Sequence, residues 1–238
     1  MPGMRSAQGE VRTDQMSRDG RRVALVTGGG RRIGAAISRR LSRAGFLVVL
    51  TYRSGRPDAN AFAEEISGRA HLLDLGRPER FLRLARILDQ EHGRLDLLVH
   101  NAAVFPKTPS GSVSPLDWDS VFAVNLRGPF LLTQALLPLL RRTQGSAVAF
   151  LGDAGAKRLW PSYLPYCLSK LALEEQARAW RNVLSPDIRV GIVRPGLALI
   201  PPGFPEGTWE RLRSNRGKRK MDTPGKVAGA VLRFARGG

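Results

Sequence analysis

At 238 residues the chain is long enough to bury a substantial core and suits one large domain. Its 42% hydrophobic and 24% charged content is ordinary for a globular protein, and no apolar run in it reaches the length of a membrane span. A single cysteine, Cys167, excludes an internal disulfide and makes a reducing cytoplasm the expected compartment. The formal charge of +18 would attract anionic partners, but the arginines are dispersed and only 211–220 forms a dense basic cluster. No helix-turn-helix or base-stacking motif accompanies them, so nucleic acid is not an expected partner.

Residues 1–20 are polar and arginine-containing, lack the apolar middle of a secretory signal, and read as a flexible basic arm before a domain at 21–238. Apolar, β-branched runs follow at 23–27, 47–51, 70–73, 95–100, 146–151 and 188–193. Amphipathic helical patterns lie between them near 32–44, 58–67, 78–92, 116–141 and 160–184, with a last one near 224–236. This alternation predicts an α/β fold, a doubly wound parallel sheet of Rossmann type. The Pro/Gly-rich stretch 201–207 predicts a loop near the site.

The first strand runs into Thr27-Gly-Gly-Gly-Arg-Arg-Ile-Gly34, which then enters a helix. Gly28, Gly30 and Gly34 allow a sharp turn and close approach to phosphate, and the helix start supplies N–H groups. At the end of the second strand, Tyr52-Arg53-Ser54 offers a guanidinium where NAD-binding sheets place an acid. Arg31, Arg53 and Ser54 are therefore candidates for a 2′-phosphate, which favours NADPH/NADP. Tyr166 and Lys170 stand four apart, on one face of a helix, and the ammonium is expected to lower the phenol pKa for proton exchange.

These motifs together resemble the short-chain dehydrogenase/reductase family over about residues 21–234. Most members have Gly or Ala where this chain has Arg32, next to Ile33, and the arginine form is similar to the pteridine reductase branch, dihydromonapterin reductases included. The resemblance implies that Asp74 and Leu75 contact adenine and that Asn101 and Ala102 belong to an Asn-Ala segment beside the cofactor. It implies that Asn125 positions a proton-relay water, that Pro195 and Gly196 flank the nicotinamide, and that Lys170 also holds its ribose. His100 reads as structural. Most members carry a Ser thirteen residues before the Tyr, and this chain has Asp153. A carboxylate cannot donate a hydrogen bond unless protonated, so it suits a substrate with N–H donors or a protonatable ring nitrogen. Pteridine reductases carry Asp there. Phe105 is placed to stack on a flat ring, or serves as a loop anchor, and Pro201-Pro202 with Trp209-Glu210 echo their late loop.

The expected protein is thus an NADPH-dependent reductase of a small pteridine-like substrate, homo-oligomeric, with Tyr166, Lys170, Asp153 and Asn125 as its catalytic set. A carbonyl reductase of 3-oxoacyl groups and a non-enzymatic NADPH-binding sensor are the alternatives. The family's final strand, with its Ile-Thr-Gly start and Asp-Gly-Gly end, has no counterpart before Arg236-Gly237-Gly238, so the sheet is expected to lack that edge.

Overall fold

The structure, a computed structural model, describes residues 20–196, 198–200, 204, 207, 210 and 222–238. Residues 1–19 of the expected arm, the cluster at 211–220 and Pro201, Pro202 and Trp209 lie outside the described residues. Six strands are described: β1 (Arg22–Val26), β2 (Phe46–Tyr52), β3 (Arg69–Leu72), β4 (Leu97–His100), β5 (Ala147–Leu151) and β6 (Arg189–Val193). They form one parallel sheet in the order β3-β2-β1-β4-β5-β6. The helices are α1 (Arg32–Arg43), α2 (Arg56–Glu65), α3 (Phe81–His92), α4 (Pro115–Phe122), α5 (Gly128–Arg142), α6 (Leu164–Leu184) and α7 (Pro224–Ala235).

The inner strands are apolar along most of their length because helices cover both faces, whereas the edge strand β3, Arg-Ala-His-Leu, is only partly buried. In β1, Val23 and Leu25 face the core shared with α3, α5 and α6, whereas Ala24 and Val26 face the core shared with α1, α2 and α7. Asp96 ties the start of the sheet together. Its carboxylate accepts the Val23 N–H at 2.7 Å and holds the buried Arg94 guanidinium at 2.6 Å. After β3 the chain returns to the middle of the sheet, so β1 and β4 are neighbours. Winding reverses there, and a crevice opens beyond the carboxyl ends of those two strands.

The helical pattern near 116–141 is not one α-helix. Between α4 and α5 lies a π turn, Ala123–Arg127, in which the Gly128 N–H bonds back five residues to the Ala123 carbonyl. Pro129 follows and has no N–H to offer the Asn125 carbonyl, which allows the ladder to slip there. The expectation about membrane-span length also needs correction. The continuous stretch Pro115–Arg142 is long and apolar enough to cross a membrane by composition. Its inner face, including Val121, Leu132, Leu136 and Leu140, is instead buried in the protein core.

Candidate functional site

A cleft of about 1100 Å³ occupies the crevice. Gly28, Arg31, Arg32, Ile33, Gly34, Arg53, Asp74, Asn101 and Ala102 line one end of it. Phe105, Asp153, Tyr166, Lys170, Pro195 and Gly196 line the other. The structure therefore gathers most of the residues singled out from sequence onto one surface.

The glycine loop is shaped by Thr27. Its hydroxyl accepts the N–H groups of Asn101 and Ala102 at 3.0 and 3.1 Å and donates to the Val99 carbonyl at 3.2 Å. The Asn101 amide donates to the Thr27 carbonyl at 2.9 Å. Gly28 has a φ of +61°, and a β-carbon on Gly34 would stand 2.1 Å from the Gly28 carbonyl oxygen. Only glycine serves at both points. Arg32 also has a positive φ, +53°, a conformation that is costly for an L-residue and free for glycine. Its guanidinium donates to the Ile200 carbonyl across the cleft. No side chain caps the start of α1, and its first turn has no acid, so its free N–H groups are available to an anion.

Some expected cofactor contacts are not on the cleft wall. Gly30 faces α2, where a β-carbon would touch Leu50 and Ala59. Leu75 is buried against Gly128, whose missing side chain permits the approach. Tyr52 and Ser54 do not line the cleft alongside Arg53. Arg31 lines it but also pairs with Asp58 at 3.1 Å. Asn125 is buried behind the wall in the π turn. Its side chain exchanges two bonds with the Val104 backbone, at 2.8 and 3.0 Å, and donates to the Ser169 hydroxyl at 3.1 Å. Its visible work is to tie the Phe105 loop to α6.

Asp153 follows β5, and the bonds Gly152 N–H to Val193 O and Ala154 N–H to Pro195 O fix the backbone on either side of it. One carboxylate oxygen accepts the Gly155 N–H at 2.6 Å. The other accepts the Tyr166 hydroxyl at 2.7 Å. Pro165 stands in the first turn of α6, just before Tyr166 in sequence. The Lys170 ammonium does not bond the phenol; it donates to the Leu151 carbonyl at 2.8 Å.

This geometry corrects the expected direction of the tyrosine shift. Burial first, then the charge and hydrogen bond of Asp153, push the Tyr166 phenol well above its ordinary 10. Tyr166 is therefore a protonated donor at neutral pH. Burial lowers Lys170 to about 8, against the opposing pull of Asp153 and Glu174. His100 is structural, as expected. It is buried, bonds the Thr133 hydroxyl at 2.8 Å, stacks on Phe150, and is held neutral by a pKa lowered to about 3, mainly by desolvation.

The Lys170 shift has a consequence for stability. Below pH 8 the amine is charged in folded and unfolded chains, and its burial cost is fully present. Between pH 8 and about 10.4 the folded amine is neutral while the unfolded one stays charged, so that cost fades as pH rises. From pH 8 to 10 the parent should gain about 2 kcal/mol relative to Lys170→Met. Denaturant unfolding of both proteins at each pH reads this; a constant difference contradicts it.

Sequence reading missed Arg77, Trp160 and Phe204, all on the cleft wall. Phe105 was expected to stack on a ring or to anchor its loop. One of its faces is already stacked on Tyr163 at 4.3 Å, and its contact with Tyr166 is edge-on at 4.4 Å. It thus anchors the loop and lines the cleft at once.

The family profile described as Enoyl-(Acyl carrier protein) reductase matches residues 29–235. Human dehydrogenase/reductase SDR family member 4 is 31% identical over 238 residues, covering 95% of this chain and 84% of its own. The granaticin polyketide synthase putative ketoacyl reductase 2 of Streptomyces violaceoruber is 30% identical, covering 90% and 89%. A metagenomic short-chain oxidoreductase in complex with NADP superposes with a TM-score of 0.75 at 30% identity, covering 90% of each chain. A Sinorhizobium meliloti dehydrogenase/reductase superposes at 0.81 and 31% identity, covering 90% of this chain and 87% of its own. The chain belongs to the short-chain dehydrogenase/reductase family. It is accordingly an oxidoreductase of the kind that works with a nicotinamide cofactor. That membership sets aside the non-enzymatic sensor. The glycine loop and Asn101 lie beyond the carboxyl ends of β1 and β4, and Tyr166 and Lys170 stand on α6, all on the wall of one cleft.

Proposed function

We propose that this short-chain enzyme uses NADPH to reduce a C=N bond in a pteridine-like ring, with Tyr166 as the proton donor. The observation that carries the ring reading is the 2.7 Å bond from the Tyr166 hydroxyl to Asp153. A carboxylate has no hydrogen to offer a carbonyl oxygen. It also opposes the phenolate left when Tyr166 gives up its proton. A ring that brings N–H groups or a positive charge to Asp153 takes over the hydrogen bond and screens that repulsion.

The cleft suits a nicotinamide dinucleotide. The uncapped start of α1 and the Gly28 turn fit a pyrophosphate, and Lys170 lies at the reactive end. Arg53 and Arg31, with no carboxylate at the end of β2, fit a 2′-phosphate. When bound, the reduced cofactor supplies the hydride. The ring carbon gains that hydride, the C=N π pair takes the Tyr166 proton at nitrogen, and the phenolate recovers a proton from solvent. Asp153 orients the ring, and Lys170 keeps positive charge near the phenolate.

Arg53→Ala should weaken NADPH binding by about 1–3 kcal/mol and leave NADH binding nearly unchanged. Calorimetry on both variants reads the difference, and equal affinity of the parent for the two cofactors rejects the NADPH preference. The ring reading itself is tested by titrating NADP-loaded protein with a dihydropterin and with a 3-oxoacyl thioester. Binding of the pterin alone supports it; binding of the thioester alone favours the second reading. That reading, a 3-oxoacyl reductase, draws on the granaticin ketoacyl reductase relative and on a basic surface suited to an acidic carrier. A homo-oligomer is part of the proposal. Leu116, Phe130 and Val183 are large apolar side chains left exposed on α4, α5 and α6, and sedimentation reads whether they are covered.

A further inference from the structure

Trp160 stands at the substrate end of the cleft, beside Asp153, Tyr166, Phe105 and Phe204. The backbone that delivers it is strained. Leu159 has a φ of +50°, a conformation costing an L-residue about 1–2 kcal/mol. The Leu159 side chain is 43% exposed, so its own burial does not account for the strain. What the left-handed step does is end the single turn Ala156–Arg158 and reverse the chain, so that the next side chain faces the cleft.

The indole is held firmly once there. A β-carbon on Gly155 would stand 3.1 Å from its Cζ2 and 3.1 Å from Asp153 Oδ1, so the ring packs on the turn that carries the carboxylate. The Trp160 carbonyl accepts the Tyr163 N–H at 2.8 Å, and the Thr108 N–H donates to Ser162 O at 2.7 Å. Tyr163 is itself stacked on Phe105, at 4.3 Å, and the Phe204 ring lies against both, 5.7 Å from Tyr163 and 6.3 Å from Phe105. Phe105 and Trp160 meet edge to face, with centroids 6.1 Å apart and planes at 85°. Phe105 and Trp160 thus stand at right angles to one another on the cleft wall that Asp153 and Tyr166 also line.

We infer that Trp160 is a specificity-determining residue: its indole admits flat rings and turns away groups that project from the ring plane or extend past it. The inference rests on the substrate lying against Tyr166 and Asp153, but not on that substrate being a pterin. A flat ring slides along one wall of the corner and gains contact area and stacking. A bulky substituent meets the other wall, which its packing on Gly155 and the Tyr163 stack keep from yielding.

The test compares kcat/KM within two substrate pairs sharing a reacting group. One pair is 6-methyl-7,8-dihydropterin and 7,8-dihydrofolate; the other is acetophenone and its tert-butyl analogue. Trp160→Ala should raise the bulky-to-small ratio by about ten-fold or more in whichever pair the parent reduces. Trp160→Phe, which keeps an aromatic wall, should stay within about three-fold of the parent ratio. Leu159→Gly permits the same backbone without strain; it should keep the ratio and raise the melting temperature. NADPH affinity by calorimetry should be unchanged in all three. If Trp160→Ala folds poorly, Trp160→Leu fills the space without a flat face and should still relax the ratio. An unchanged ratio in the folded Ala or Leu variant overturns the inference. Reduction of the ketones but not the pterins would reject the pteridine reading and leave Trp160 to be judged on the ketone pair.

Discussion

Tyr166→Phe should lose turnover by about 10²–10⁴-fold, the range for removing a positioned general acid. Phe keeps the ring that packs edge-on against Phe105 and removes only the hydroxyl that bonds Asp153. NADPH binding should survive, because the glycine loop, Arg53 and Lys170 are untouched. Removing the phenol also leaves Asp153 with one bond fewer, so a modest change in substrate KM is expected beside the large loss in kcat. Single-turnover oxidation of bound NADPH separates the two effects. A variant within a few-fold of the parent would assign the proton to another group.

Asp153→Ser should change the substrate class. The serine hydroxyl can donate to a carbonyl oxygen, which the carboxylate cannot. It also removes the negative charge that helps hold Tyr166 well above its ordinary pKa. Ring reduction should therefore fall and ketone reduction should rise. The ratio of kcat/KM for a dihydropterin over a simple ketone should drop by about 10³-fold or more, since a site built around a polar partner discriminates strongly once that partner is removed. The Gly155 N–H, which now donates to Asp153, keeps a possible oxygen partner in serine. Loss of the fold is therefore not the expected outcome, and a melting curve checks that. An unchanged ratio would show that Asp153 holds its turn and does not select substrate.

The strand-helix alternation, the glycine loop and the Tyr-Lys pair were legible in sequence because each rests on local spacing. The period that separates strands from helices survives folding, and Gly28 and Gly34 mark a turn that only glycine makes. What was not legible depends on groups brought together from far along the chain. Four-residue spacing places Lys170 beside Tyr166 on α6. It does not reveal that the amine reaches the Leu151 carbonyl while the phenol bonds Asp153, both from β5 or just beyond it. The phenol shifts upward chiefly because Tyr166 is buried, and then because Asp153 faces it, and neither is visible in the spacing. The π turn inserts one residue into an otherwise helical pattern, and the apolar period is too coarse to show it. Trp160 carried no motif at all. Its place follows from the left-handed Leu159, which no propensity for leucine predicts.

On the proposed reading, Asp153 and Tyr166 together serve a nitrogen-bearing ring. The most direct measurement is the initial rate of NADPH oxidation by the unmodified protein, with 7,8-dihydropterin and with a 3-oxoacyl thioester in the same buffer. A clearly higher kcat/KM for the pterin is expected. Fast reduction of the thioester with none of the pterin would contradict it.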